Sequence, residues 1–186
     1  MRKVKYLVAN SLDNFIARKD GSVDWLFHEG DYGMREFFVS IDTIFMGRKT
    51  YEFALAHSPK SKPKSKSAKA KKKISSKPAV QTYVFSRTLE TTPDDGATII
   101  SENSEEFVRT LKNEAGKDIW LMGGGVLARS LFAENLVDEI SLNIHPVLLG
   151  SGIPLFPDIG RQLDLELLDC KTHKNGCMQV YYRVKN

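Results

Sequence analysis

The strongest constraint on this chain is the interleaving of two hydrophobic rhythms. Runs rich in β-branched and aromatic residues occupy 4–9, 43–46, 82–85, 97–100 and 118–122, and among them lie segments with apolar residues at helical spacing, 34–41, 50–56, 104–112 and 126–135. In the first of these Phe37, Phe38 and Ile41 share a face. In the third, Ser104 is placed to cap a helix, Glu105 and Glu106 meet the positive end of its dipole, and Phe107, Val108 and Leu111 form its apolar stripe. Strand alternating with helix predicts an α/β fold with a central, mostly parallel sheet covered by helices on both faces. After residue 139 the rhythm changes: strands at 139–148, 163–171 and 177–184 follow one another without a helix, so the sheet turns antiparallel at one edge and ends in a hairpin. No internal repeat and no second core is visible, and one domain over residues 1–186 is the expectation.

Composition supports a globular reading, with 41% hydrophobic and 27% charged residues. The net charge of +4 is localised. Between Pro59 and Pro78 stand nine lysines and no acid, and without them the rest of the chain carries −5. The body would repel a nucleic-acid backbone, so nucleic acid is not the expected partner; the Ser/Lys/Pro stretch 58–78 reads as a solvated, mobile insertion. No apolar run approaches the roughly 20 residues that span a bilayer, and the first residues lack the apolar stretch of a secretion signal, which points to the cytoplasm.

Cys170 and Cys177 flank Asn175-Gly176, the signal of a two-residue hairpin turn. In that register Cys170 faces Tyr181 and the sulfurs stand about 13 Å apart along the ladder, too far for a disulfide. Alternation also points His173 away from Cys170, so no zinc site is expected there.

Three strand-to-helix corners carry ligand chemistry. In the first, residues 119–122 run into Gly123-Gly124-Gly125 and the helical segment from Val126. Glycines there admit positive φ and close backbone approach, and free amides at a helix start favour a diphosphate. The run also fits the dinucleotide fingerprint G-x-G-x-x-A with Ala128 as its last small residue, although no acid follows about 20 residues later. In the second, Gly47-Arg48-Lys49-Thr50 places two cations and a hydroxyl at a helix start. In the third, Ser86-Arg87-Thr88 leaves a strand with hydroxyls and a guanidinium. Ligands of open α/β sheets bind beyond the carboxyl ends of the strands, so all three corners can line one crevice for a ligand with several phosphates.

The ordered motifs VANSLDNFIA, DGSVDWL, IFMGRKTYE, VFSRTL, IWLMGGGVLARSL and HPVLLGSGIPLF resemble the dihydrofolate reductase superfamily. Within it the last motif is most similar to the reductase domain of the bifunctional riboflavin-pathway deaminase-reductase and its stand-alone relatives. The resemblance covers nearly the whole chain outside the lysine insertion. It implies a three-layer α/β/α fold, NADPH as hydride donor, and a homodimer. Carried onto this sequence, it places NADPH contacts on Gly47, Arg48, Lys49 and Thr50, with Ser86 and Arg87 toward the adenosine end and its 2′-phosphate. Gly123, Gly124, Gly125, Val126 and Leu127 fall at the diphosphate and nicotinamide, with Ala9 and Ile16 flanking the ring. Trp25 would wall the substrate pocket, and Leu155 and Phe156 follow glycines that shape a loop over the substrate or at the dimer edge, with packing alone as the alternative for these two side chains. Relatives with glycine at position 14 imply a left-handed backbone, which Asn14 also tolerates.

Reduction of a ring C=N or a sugar carbonyl needs a proton as well as a hydride, and a carboxyl group in a partly apolar cleft can supply it. Asp13, Asp24 and Asp31 are the candidates, each with a structural alternative: a turn former, a surface acid and a helix cap, respectively. The expected function is NADPH-dependent reduction of a small nitrogen heterocycle, of the phosphoribosylamino-uracil or pterin and dihydrofolate type. No arginine stands ready for the glutamate tail of folate, and no deaminase zinc ligands are present in the sequence. The competing expectation is a non-catalytic nucleotide binder whose basic loop recruits an acidic partner.

Overall fold

The computed structural model describes residues 1–27, 30–57, 80–93, 95–156 and 158–185. The lysine-rich insertion expected at 58–78 lies outside them. Fourteen elements follow in order: β1 (Val4–Ser11), β2 (Phe15–Ala17), α1 (Met34–Ser40), β3 (Ile41–Gly47), α2 (Arg48–His57), β4 (Gln81–Phe85), β5 (Thr98–Ile100), α3 (Ser104–Asn113), β6 (Asp118–Gly123), α4 (Gly125–Ala133), β7 (Glu139–His145), β8 (Ile153–Pro154), β9 (Leu165–Thr172) and β10 (Met178–Val184).

Eight strands form one sheet in the order β5-β4-β3-β6-β1-β7-β10-β9. From β5 to β7 every pairing is parallel, and β10 runs antiparallel to both β7 and β9. The interleaved part of the sequence thus makes the parallel part of the sheet. Successive residues of a strand face opposite sides, and two cores result. Tyr6, Phe45, Ile119 and Leu121 point to one side, where they meet α3 through Val108 and Leu111 and α4 through Leu127, Leu131 and Phe132. Leu7, Ile44, Met46 and Trp120 point to the other, where they meet Tyr51 of α2 and, from α1, Met34 and Phe37.

Four local expectations are corrected. The helix at 104 is not capped by Ser104: Asn103 is the N-cap, in the left-handed region at φ 49°, and makes no side-chain cap bond. The strand expected over 139–148 stops at His145, because Pro146 has no N–H to offer a neighbour and the Val147 N–H turns back to the His145 carbonyl at 2.8 Å. The hairpin turn is one residue longer than expected. His173 donates to the Cys177 carbonyl and Gly176 to the His173 carbonyl, both at 2.9 Å, with Gly176 at φ +86°. The loop is therefore 174–176, and Cys170 stands opposite Val180 rather than Tyr181. Both cysteines are free, Cys170 exposed and Cys177 buried. Finally, β2 and β8 form a separate antiparallel pair that the sequence reading omitted, since strands of three and two residues have no readable period.

Candidate functional site

The carboxyl ends of β4, β3 and β6 lie side by side. Gly47 pairs with Phe85, the residue before Ser86, and Met46 pairs with Gly123. The three corners therefore meet at one edge of the sheet. Gly47 and Gly124 come so close that a Cβ on Gly124 would stand 3.0 Å from the Gly47 Cα, and one on Gly47 would stand 3.3 Å from the Gly124 Cα. Gly123 and Gly124 take φ of +146° and +102°, conformations that side chains resist. Thr50 leans over this turn, with its Oγ1 3.6 Å from where a Cβ on either glycine would sit.

Two helices, α2 and α4, begin at this contact, and their first backbone N–H groups lack carbonyl partners within the helix. Arg48, Lys49 and Val126 are exposed at the helix starts, and Arg48 pairs with Glu52 at 3.3 Å. The Ser86 hydroxyl accepts from the Leu89 and Thr88 amides at 2.9 and 3.2 Å, shaping the turn that carries the exposed Arg87. Convergent amides and cations around a turn stripped of side chains are suited to a polyanionic ligand.

Ala9 lies near the end of β1, on the same side of the sheet as Leu7 and Trp120, whereas Ile16 packs against the opposite core. Asn14 adopts φ 64°, the left-handed conformation expected of it. Trp25 is buried and sets its ring edge-on to His145, with centroids 5.3 Å apart. Leu155 and Phe156 are not brought to Trp25. Leu155 is fully buried beside Tyr6, whose hydroxyl donates to its carbonyl at 3.1 Å, and Phe156 packs on Tyr6 and Phe132.

The three carboxylates differ in setting. Asp13 accepts from the Ser11 hydroxyl at 2.6 Å and from the Leu149 and Gly150 amides at 3.1 and 2.7 Å, pinning the loop after β7 to the end of β1. The Ser11 bond, with those amides, holds its pKa below the ordinary carboxylate range. Asp24 receives two bonds from the Arg18 guanidinium, at 2.7 and 3.1 Å, which lower its pKa as well. Asp31 precedes α1 and lies 3.6 Å from Arg35.

A group of buried polar side chains escaped the sequence reading. Asn143 and His145 on β7 and Gln179 on β10 share the sheet face below Trp25, each more than nine-tenths buried. Their signal was present as polar residues alternating with Ile140, Leu142 and Ile144, but the same pattern describes a strand with one wet face. Burial lowers the His145 pKa, so the ring is neutral at neutral pH.

An eight-stranded mixed sheet with this strand order and two helix starts meeting at a glycine turn define a dihydrofolate reductase-like fold. A structure described as a putative riboflavin biosynthesis protein from Shewanella sp. PV-4 superposes with a TM-score of 0.80 over 99% of both chains at 22% identity. Dihydrofolate reductase from Enterococcus faecalis, solved in complex with NADP(H), does so with 0.67 over 99% of this chain and 97% of its own, at 15% identity. The chain belongs to the RibD C-terminal domain family, whose model matches residues 2–179. Within reach of sequence, it is 39% identical over 181 residues to the uncharacterized protein YyaP of Bacillus subtilis (strain 168), covering 97% of this chain and 94% of that one.

Proposed function

We propose that the protein is a cytoplasmic NADPH-dependent reductase of a small nitrogen heterocycle, of the phosphoribosylamino-uracil or pterin type. The observation that carries this reading is that the strands leading to Ser86, Gly47 and Gly123 end side by side, with Gly47 and Gly124 in a backbone contact too close for side chains. There the amides of Gly125, Val126 and Leu127 would take the diphosphate, with Gly123 and Gly124 giving it room. Gly47, Arg48, Lys49 and Thr50 would hold the adenosine half, and Ser86 and Arg87 its 2′-phosphate, the dianion that separates NADPH from NADH. The bound cofactor supplies a hydride. Ala9 and Ile16 would flank the nicotinamide, and Trp25 would wall the substrate. Leu155 and Phe156 serve packing in this reading. The exposed edge strand β9, with Leu165, Leu167 and Leu168 uncovered, is the surface for the homodimer that the family resemblance implies.

For the proton, Asp13 stands at the end of β1 and Asp24 beside Trp25, with Asp31 further along the loop. Asp13 and Asp24 are held ionised by their partners, so each would orient and recharge a water rather than donate directly. Their engagement favours one competing reading, a nucleotide-binding protein of the same fold without turnover.

Titration of NADPH and NADH, followed by Trp25 and Trp120 fluorescence, tests the cofactor site. Arg87→Ala is expected to weaken NADPH about tenfold and leave NADH nearly unchanged. Equal losses for both cofactors would remove the 2′-phosphate assignment. NADPH oxidation with a panel of ribosylaminopyrimidines, pterins and folates separates enzyme from binder: tight NADPH binding with no turnover on any of them would favour the binder.

A further inference from the structure

The sheet ends in a strand left open to solvent. All eight residues of β9 are exposed, and as the last strand of the sheet it offers a row of backbone N–H and C=O groups along its free edge. Which residues offer them follows from the bonds to β10. The Asp164 carbonyl accepts from the Lys185 amide and the His173 amide donates to the Cys177 carbonyl, both at 2.9 Å, so residues 164 and 173 turn toward β10. In an antiparallel strand the N–H and C=O of one residue point the same way, and the direction alternates from residue to residue. Counted from one end, Leu165 and Leu167 turn outward; counted from the other, Thr172 and Cys170 do. The two counts differ in parity, and a bulge takes up the difference: Tyr182 pairs with Leu167 and Tyr181 with Asp169, leaving Leu168 as the extra residue.

A bulge spoils an edge for most partners, because a regular strand presents its groups at every second residue and falls out of step. Here the outward groups stand at 165, 167, 170 and 172, a spacing of two, three and two that reads the same in both directions. A second β9, run antiparallel about a two-fold axis, has that spacing too. One register alone brings all four positions into line: Leu165 opposite the partner's Thr172 and Leu167 opposite the partner's Cys170, each pair exchanging two hydrogen bonds. Backbone geometry selects this register, yet it also sets Glu166 against the partner's Lys171 and Lys171 against the partner's Glu166. These fall in non-hydrogen-bonded pairs, where cross-strand side chains come closest. Glu166 and Lys171 share the face of Arg183 and Gln179, their neighbours on β10, and both side chains are about half exposed. Charge and backbone spacing thus agree on a single alignment.

We propose that β9 is a self-recognition strand: two copies of the chain join through it in this one register, merging two eight-stranded sheets into one of sixteen strands, and the Leu168 bulge restricts the pairing to a second copy of this chain. A regular strand meets at most part of the edge, so the same bulge that admits the copy refuses indiscriminate edge-to-edge association. On the opposite face Leu165 and Leu167, beside Val184 and Tyr182, gain the partner's Thr172 and Cys170 as neighbours, which takes apolar surface out of water. The inference deepens the dimer surface of the proposed function and needs nothing of the cofactor site.

Sedimentation equilibrium of the full-length protein, combined with disulfide trapping, tests the register. Leu167 and the partner's Cys170 would form a hydrogen-bonded pair with Cα atoms about 5.5 Å apart, within reach of a disulfide. Leu167→Cys, with diamide as oxidant, is therefore expected to give covalent dimers. The unaltered chain should give none, because Cys170 and the partner's Cys170 stand three residues apart along the ladder, about 10 Å, and Cys177 is buried. Lys171→Glu sets carboxylates against each other twice in the dimer and should weaken association at least about tenfold. Adding Glu166→Lys restores opposite charges across the axis and should recover most of the loss. Damage within one subunit would not recover, since Glu166→Lys also faces Arg183 of its own chain. A protein that stays monomeric at high micromolar concentration, a dimer indifferent to Lys171→Glu, a double variant no better than the single, or trapping of the unaltered chain as efficient as that of Leu167→Cys would overturn the inference. A monomer that binds NADPH would leave the cofactor reading standing, and a dimer with this register that binds no NADPH would overturn that reading alone.

Discussion

At the scale of single residues, the site depends on what is absent from two glycines. A Cβ on Gly124 would meet the Gly47 Cα at 3.0 Å and the Gly47 nitrogen at 3.1 Å, at a φ of +102° that strains any side chain. Both atoms belong to backbone and cannot swing aside. Gly124→Ala is therefore expected to cost about 2 kcal/mol of stability and to weaken NADPH by separating the two corners. Gly125 is the control, since nothing lies within 4 Å of a Cβ there and its φ is not positive. Gly125→Ala should change stability by less than about 1 kcal/mol. Urea denaturation with NADPH titration of both variants checks the pair; equal effects would show that the close approach does not matter. The carboxylates carry a prediction of their own. Ser11 and the Leu149 and Gly150 amides depress the Asp13 pKa, and Arg18 depresses that of Asp24. An acid that must be protonated to work loses rate as pH rises through its pKa, which for these two lies below the ordinary range of about 4. Turnover should accordingly show no descending limb from either residue between about pH 5 and 8. A fall in that window abolished by Asp13→Asn or Asp24→Asn would make that residue a direct donor.

Among the elements, those with a period were legible and those fixed by tertiary cover were not. The strands and helices of the parallel half appear where alternation and helical spacing place them, because each buries a stripe against one of two cores. The Gly47, Ser86 and Gly123 corners could be grouped in advance because parallel strands all end on the same side of a sheet. The polar floor could not be. Asn143 and His145 alternate with apolar neighbours as on a half-solvated strand, and only the loop bearing Trp25 and Phe27, distant in sequence, decides that their face is dry. The hairpin shows a smaller failure. Asn175-Gly176 predicts a two-residue turn, three residues span it, and that one residue moves Cys170 from opposite Tyr181 to opposite Val180. Since Gly176 sits at φ +86° with Pro146 Cγ 3.3 Å from an added Cβ, Gly176→Ala should destabilise the protein by about 1 kcal/mol, read as a lowered urea midpoint. No loss would mean that the β9–β10 edge melts apart from the rest.

Across the whole molecule the two ends of the parallel sheet are built for opposite purposes. The carboxyl end is glycine turns and loops, whereas the amino end is tied by charge. Lys112, with a side chain only 5% exposed, reaches Asp138 at 2.7 Å and the Leu136 carbonyl at 3.1 Å, and Lys5 pairs with Asp118 at 2.7 Å. Lys112→Met would leave the Asp138 carboxylate without its counter-ion, held only by the Val4 amide, and that carbonyl unmet, at a cost of about 3 kcal/mol read from the urea midpoint. Burial raises the Asp118 pKa, but Lys5 and the Lys3 amide outweigh it and the net shift is downward. The stability Asp118 contributes is therefore present above its unfolded pKa of about 3.9 and lost as pH falls through the lower folded value. The Lys3 pKa is raised by the Glu139 carboxylate, so its share is complete below about 10.4 and fades as pH rises through the folded value. A charge-tied amino end leaves the lysine segment as the remaining electrostatic question, since the chain is +4 with its nine lysines and −5 without them. If the crevice holds NADPH through Arg48, Lys49 and Arg87, deleting residues 60–77 should leave NADPH affinity within about twofold at physiological salt, because the phosphates then pair directly with those cations and salt screens charges that make no direct contact. The same deletion should abolish retention on an anionic resin, which reads net charge. Loss of NADPH binding on deletion would move the polyanion site from the ends of the strands to the lysines and favour the acidic-partner binder over the enzyme.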